Sequence, residues 1–110
     1  MDIDFNWHID NLRRVLEILE IEDLSEKDRN FYRGWAFYEM KWVMDLLNKS
    51  NKEAETIFAQ AMQSSDWGVR ERAHKIVLQA EALGVSLSKE TIDIMKEVEE
   101  EISAQTKKAS

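Results

Sequence analysis

The chain has no cysteine and no proline, and only three of its 110 residues are glycine. Without cysteine it cannot form disulfide bonds, thiolate zinc sites or thiol nucleophiles, which is typical of proteins in a reducing compartment. Without proline, and with so little glycine, the composition favours long helices over a loop-rich fold. No segment approaches the roughly 20 consecutive apolar residues that a membrane-spanning helix needs, so we expect no membrane partner.

Positive charge is also scarce: 15 Lys and Arg residues stand against 22 Asp and Glu residues, giving a formal net charge of −7. This balance disfavours binding to nucleic-acid backbones and to anionic lipid. It suits a basic partner, although solubility explains it equally well. The N-terminus, Met1–Asp4, is acidic and lacks the basic region of a signal peptide. We therefore expect a cytoplasmic protein and do not expect nucleic acid as its partner.

The most informative segment is an aromatic one, with six aromatic residues within twelve consecutive positions. At helical spacing four of them form one stripe: Phe31, Trp35, Tyr38 and Trp42. Apolar residues flank this stripe on both sides, which predicts a helix that is covered on nearly every side. Such a helix is either the centre of a small domain or shares its surface with a partner. We predict a central helix with Trp35 and Trp42 in the core.

Hydrophobic periodicity predicts an all-α fold, a compact bundle of about five helices in antiparallel hairpins. We expect one helical domain over residues 1–104 and a flexible C-terminal tail over residues 105–110. The first predicted helix runs from about Asp4 to Glu20. The second is capped by Ser25 and ends near Asn48, and the third is capped by Asn51. The fourth stops at Gly84, and the fifth is capped by Ser86 or Ser88. The predicted inner faces are Phe5, Ile9, Leu12, Leu16 and Leu19 in the first helix, Ala54, Ile57, Phe58, Ala61 and Met62 in the third, Val69, Ala73, Ile76, Val77, Ala80 and Leu83 in the fourth, and Leu87, Thr91, Ile94, Met95, Val98 and Ile102 in the fifth.

Residues 52–84 form the clearest predicted hairpin. Within it, the segment Ser65–Ala73 places an Asp before a Val-Arg pair and a small residue, and it resembles the inter-helix corner of a HEAT repeat. Ala54, Phe58 and Ala61 resemble the second helix of a tetratricopeptide repeat. The two resemblances place the same helix differently and neither motif recurs, whereas a solenoid needs about three repeats. We interpret the segment as a HEAT/TPR-like hairpin in a small bundle and assign no family.

The two histidines are the candidates for metal chemistry. Glu71 and His74 form a Glu-x-x-His pair, but di-iron bundles need two such pairs and two further glutamates. His8 has Phe5 where the matching carboxylate would lie. We interpret Glu71 and His74 as a surface ion pair and His8 as half-buried or interfacial. Since no nucleophile elbow or Gly-rich phosphate loop is present either, we predict no enzyme, no metal and no cofactor.

Two tryptophans are the leading candidates for contact with a partner. Trp7 lies off the main apolar face of the first helix, and Trp67 lies in a turn. Exposed aromatic residues are common anchors of interfaces, but either tryptophan can instead cover an end of the core. Gly34 is the unusual glycine, because it lies inside a helix at a cost of up to about 1 kcal/mol. A close crossing by a neighbouring backbone or Trp is the preferred explanation, and a bound ligand is the alternative.

Charged residues supply two further candidates. Four carboxylates share one face of the last helix, either as a solvated face or as a rigid acidic stripe that imitates a nucleic-acid backbone: Glu90, Asp93, Glu97 and Glu101. Arg70, Arg72 and Lys75 form a small basic cluster beside Trp67, interrupted by Glu71.

These features lead to three functional hypotheses. The preferred one is a small non-catalytic regulatory protein that binds a protein partner, or itself as a symmetric homodimer, through an aromatic helical surface. The alternative is an acidic inhibitor that imitates nucleic acid and blocks the basic channel of a nucleic-acid-handling enzyme. The third is direct nucleic-acid binding through Arg70, Arg72 and Lys75.

Overall fold

In a computed structural model, α-helices are the only helices or strands within residues 5–109. The structure describes residues 5–109, with the side chains of residues 6–107. Five helices follow one another, namely α1 (Phe5–Ile18), α2 (Glu26–Asn48), α3 (Lys52–Ala61), α4 (Trp67–Ala82) and α5 (Lys89–Ala109). The predicted all-α bundle of five helices in antiparallel hairpins is confirmed. The predicted first helical residue, Asp4, lies outside the described residues, as does the side chain of Phe5.

The helices begin where short polar side chains cap them. The side-chain oxygens of Ser25, Asn51, Asp66 and Ser88 each accept a hydrogen bond from the backbone N–H three residues later, at 3.0–3.3 Å. Each bond satisfies one of the N–H groups that a helix N-terminus leaves without a partner. The caps predicted at Ser25 and Asn51 are confirmed, and of the two predicted for α5 it is Ser88 that bonds.

Two helices end in a residue with left-handed backbone geometry. α4 ends before Gly84, which has φ +91°, and the N–H of Val85 closes the turn onto the carbonyl of Ala80. α2 ends in the same way at Ser50, with φ +64°. This conformation suits glycine and costs other residues about 1–2 kcal/mol. The predicted stop at Gly84 is confirmed, and α2 stops without the help of a glycine.

α3 lies at the centre of the bundle. It contacts each of the other four helices, whereas within residues 5–109 α2 contacts only α1, α3 and α4. The predicted inner face of α3 is confirmed, since each member is at most 2% exposed: Ala54, Ile57, Phe58, Ala61 and Met62. The prediction of a central aromatic helix covered on nearly every side was wrong, because α2 contacts fewer helices than α3 and leaves Phe31 and Tyr38 more than half exposed.

The other predicted faces are buried in part. Buried members are Ile9, Leu12 and Leu16 in α1 and Leu19 directly after it, Val69, Ala73, Ile76, Val77 and Ala80 in α4, and Thr91, Met95 and Val98 in α5. Leu83 is 72% exposed, contrary to prediction, because α4 ends at Ala82 and the chain turns away there. α5 is helical up to Ala109, so most of the predicted tail continues the helix. The flexibility of that segment stays a prediction. None of the described helices is long and apolar enough to cross a membrane.

A buried carboxylate attaches α5 to the central helix. Glu55 of α3 accepts hydrogen bonds from the Ser88 backbone N–H at 2.7 Å and from the Thr91 hydroxyl at 2.8 Å. Burial alone would raise the pKa of Glu55, but these hydrogen bonds and the nearby charge of Lys52 lower it below its ordinary value. The ionised carboxylate thus stabilises the start of α5, where a helix favours negative charge.

Candidate interaction surface

α2 has two apolar faces of different composition. Its buried face consists of small and aliphatic side chains, namely Ala36, Met40, Val43 and Leu47. The predicted aromatic stripe lies on another face, where Phe31 is 65% exposed and Tyr38 is 55% exposed, while Trp35 and Trp42 are half-buried. The prediction that both tryptophans are core residues was therefore wrong for Trp42, while Trp35 is partly buried against the core. Small side chains allow close approach of neighbouring helices, so the aliphatic face packs inward and the bulky rings stay outside.

The rings of the stripe contact one another in pairs. Phe31 and Trp35 have ring centroids 6.4 Å apart at an interplanar angle of 66°, and Tyr38 and Trp42 are 6.4 Å apart at 67°. These are edge-to-face arrangements, the favoured geometry for aromatic pairs. The contacts hold the exposed rings in defined positions on the half-buried tryptophans.

The stripe continues from α2 onto α1. The His8 ring stacks on Trp42 at 5.2 Å with an interplanar angle of 5°, and Trp7 meets His8 edge-on at 5.1 Å. Trp7 itself is 58% exposed, as a contact residue needs to be. We call Trp7, Phe31, Trp35, Tyr38 and Trp42 the aromatic surface. It spans two helices and contains three large exposed rings.

A buried polar pair supports the aromatic surface from beneath. Glu39 is only 2% exposed, and its carboxylate accepts hydrogen bonds from His8 Nδ1 at 2.7 Å and from Trp35 Nε1 at 3.3 Å. The carboxylate thereby joins α1 to α2 and fixes two ring orientations. Sequence reasoning missed Glu39, because nothing in the spacing relates positions 8 and 39. The only sequence signal was an acidic residue inside the aromatic segment.

Two buried ring nitrogens, Trp42 Nε1 and His74 Nε2, have no hydrogen-bond partner among residues 5–109. His74 is buried and Glu71 is exposed. The predicted surface ion pair between them was wrong, because no such pair forms in the described part of the chain. No group of three or more His, Cys, Asp or Glu side chains among these residues is placed to hold a metal ion.

Gly34 lies on the exposed side of α2, between Phe31 and Tyr38. A Cβ atom built there would meet nothing within 4 Å. The predicted close crossing at Gly34 by a neighbouring element of the same chain was therefore wrong. Within the fold, the glycine forms an open notch between two exposed aromatic rings.

The predicted corner between α3 and α4 is organised by Asp66. Arg33 donates three hydrogen bonds to this buried carboxylate, from Nε to Oδ1 at 2.9 Å, from Nε to Oδ2 at 3.1 Å and from Nη2 to Oδ2 at 2.9 Å. Arg29 adds a contact at 3.4 Å. Burial alone would raise the pKa of Asp66, but the Arg33 and Val69 hydrogen bonds and the Arg33 charge lower it. Trp67 follows as the first residue of α4 and is half-buried. The corner links α2 to α4, whereas α1, which carries Trp7, does not contact α4 within the described residues.

One of the predicted basic residues forms an ion pair with one of the predicted acidic residues. Arg70 forms an ion pair with Glu101 and donates to the backbone carbonyl of Ser64 at 3.0 Å. The other predicted carboxylates are exposed along α5: Glu90, Asp93 and Glu97. The charge-mimicry hypothesis stays a prediction.

Of the remaining basic residues, Arg72 stacks over Phe37 with its guanidinium carbon 4.5 Å from the ring centroid. Phe37 and Arg72 line a groove between α2 and α4. Lys75, which is exposed, and Lys41 line the same groove. Arg70 is not among the residues that line this groove. Nucleic-acid binding through the three predicted residues also stays a prediction.

No protein-family model matches the chain, and the comparisons find no similar curated protein or solved structure. The HEAT and tetratricopeptide resemblances therefore remain local ones. Function is inferred from the chain's own residues.

Proposed function

We propose that the protein is a small non-catalytic interaction protein, and that it binds a protein partner through the aromatic surface of α1 and α2. One observation carries the proposal: three large exposed rings, Trp7, Phe31 and Tyr38, lie on a surface whose other members are half-buried and held in place. Apolar patches on monomeric proteins are usually small, and larger ones mark interaction sites. Aromatic side chains are also the commonest energetic anchors of such sites.

The fixed geometry of the rings supports the same proposal. An interface gains affinity when its anchor side chains lose little conformational freedom on binding. Here the ring pairs and the buried His8–Glu39 pair already restrict the side chains. The surface thus combines apolar area with a low ordering cost.

Site-specific photo-cross-linking tests the proposal in the full chain. A benzophenone amino acid in place of Phe31 should form adducts with a protein in the native cells, and Trp7→Ala or Tyr38→Ala should reduce them. The matched control places the same cross-linker at Leu83, which is equally apolar and 72% exposed but lies at the end of α4. Absence of any protein adduct at position 31, or equal adducts at both positions, would overturn the proposal.

A further inference from the structure

We infer that the partner of the aromatic surface is a second copy of this chain, bound by antiparallel pairing of α2 with the partner's α2. The inference rests on the proposed function and names the protein that binds the aromatic surface. It comes from one row of exposed positions along α2 that alternates in steps of four and three residues: Lys27, Phe31, Gly34, Tyr38, Lys41 and Asp45. This is the spacing that lets two helices pack along a shared seam. The row spans about 27 Å at 1.5 Å per residue.

The row is complementary to itself in size. Antiparallel pairing centred at the level of Ala36 places Tyr38 opposite the partner's Gly34, and by symmetry the reverse contact also forms. The exposed ring of Tyr38 thus meets the open notch, where a Cβ atom built on Gly34 would meet nothing within 4 Å. This contact supplies the close approach that a helical glycine implies and that no element within residues 5–109 provides.

The same register is complementary in charge. It places Lys27 opposite the partner's Asp45 at both ends of the seam, and Phe31 opposite the partner's Lys41. The first contact is an ion pair and the second a cation–π contact. Pairing centred at Gly34 instead would place Lys27 opposite the partner's Lys41. Pairing centred at Tyr38 would place Phe31 opposite the partner's Asp45 and leave Lys27 beyond the end of the partner's row. The first alternative opposes like charges and the second loses both ion pairs, so the row favours the register centred at Ala36 over these two.

A charge-swap series tests the register. Sedimentation equilibrium of the purified chain should show a dimer. Lys27→Asp and Asp45→Lys should each weaken it about tenfold, because each replaces two attractions by two repulsions. The double variant Lys27→Asp/Asp45→Lys restores opposite charges and should return the dimer dissociation constant to near the wild-type value. Lys96→Asp, the same charge change at an exposed position of α5, should leave it unchanged.

Gly34→Ala gives a second, independent test. In the monomer the new methyl group meets open space, so the variant should raise the melting temperature of a dilute sample through helix propensity. In the dimer the methyl group occupies the notch and should weaken association. A variant that stabilises the monomer and dimerises as well as wild type would show that the notch is empty, and the inference would fail.

The outcomes separate this inference from the proposed function. A purified chain that stays monomeric up to about 1 mM, the weak limit of specific association, overturns the homodimer. It leaves the proposed function intact if position 31 still forms adducts with another protein in cells. A dimer that is weakened by both single charge variants but not rescued by the double variant overturns the antiparallel register.

Discussion

The buried and exposed faces of α2 are both apolar, yet they differ in almost every other respect. The buried face, Ala36, Met40, Val43 and Leu47, is small or aliphatic and packs on α1, α3 and α4. The exposed face holds Phe31, Gly34 and Tyr38, and no helix in the described part of the chain covers it. The difference teaches that hydrophobicity alone does not select the core face of a helix. Side-chain size decides it, because aliphatic faces let helices approach each other closely.

If the two faces are divided in this way, truncation of the buried face should produce the largest loss of stability. Met40→Ala should lower the free energy of unfolding by about 2–4 kcal/mol, since Met40 is almost fully buried and its removal leaves a cavity. The measurement is urea unfolding at a concentration where the chain is monomeric. Met44→Ala is the matched control: Met44 is half-buried on the same helix, and its loss should be clearly smaller. Equal losses would mean that the two positions do not differ in packing.

The flank of α2 that carries Arg29 and Arg33 should show the next largest effect. Asp66→Asn keeps the N-cap oxygen of α4 but removes the charge that both arginines bind. We expect a loss of about 2 kcal/mol at neutral pH, moderated because the guanidinium groups are partly in solvent.

The effect of Asp66→Asn should depend on pH. The pKa of Asp66 is lower in the folded state than its ordinary value of 3.8. Its contribution is therefore complete above pH 3.8 and is lost as the pH falls through the folded pKa. Wild type and variant should converge in stability at the acid end of a series of unfolding measurements. A constant difference across the series would show that the charge of Asp66 is not the cause.

The buried residues of a helix could be predicted from the sequence where its apolar residues lie on one side of the helix only. α3 has a single apolar face, so its buried hydrophobic residues followed from spacing alone, whereas the burial of Glu55 did not. In α2, aromatic and aliphatic residues surround the helix, and spacing cannot tell which of them meet neighbours. The choice is made by the surfaces of α1, α3 and α4, which no local pattern encodes.

Of the candidate site, the sequence predicted single exposed residues but not the contacts between helices. Trp7 stood out because it lies off the apolar face of its own helix. The link from His8 to Glu39 joins residues 31 positions apart, and such pairs are fixed only by the packing of α1 on α2. The open surroundings of Gly34 likewise follow from tertiary structure, although the glycine itself was a signal.

Glu39 lies between the two faces and should show a mixed response. Glu39→Gln retains the shape of the side chain but replaces two hydrogen bonds to a charged acceptor by weaker ones. We expect a loss of about 1–2 kcal/mol. We also expect a change in the tryptophan fluorescence of the folded state, because Trp35 loses its carboxylate partner. Unchanged stability would indicate that the His8–Glu39 pair holds the surface without contributing to the fold.

Phe31→Ser should show the smallest effect on stability and the largest on association, which is the sharpest contrast between the two faces. Phe31 is 65% exposed and packs within the fold mainly against Tyr32 and Trp35, so its removal should change the free energy of unfolding by less than about 0.5 kcal/mol. Unfolding is measured on dilute monomer and association by sedimentation equilibrium of the same samples. Leu83→Ser, which removes an exposed apolar side chain outside the surface, should change neither quantity appreciably.

If Phe31→Ser instead destabilised the monomer as strongly as Met40→Ala, Phe31 would be part of the core in solution. The two faces of α2 would then have to be regarded as one hydrophobic core.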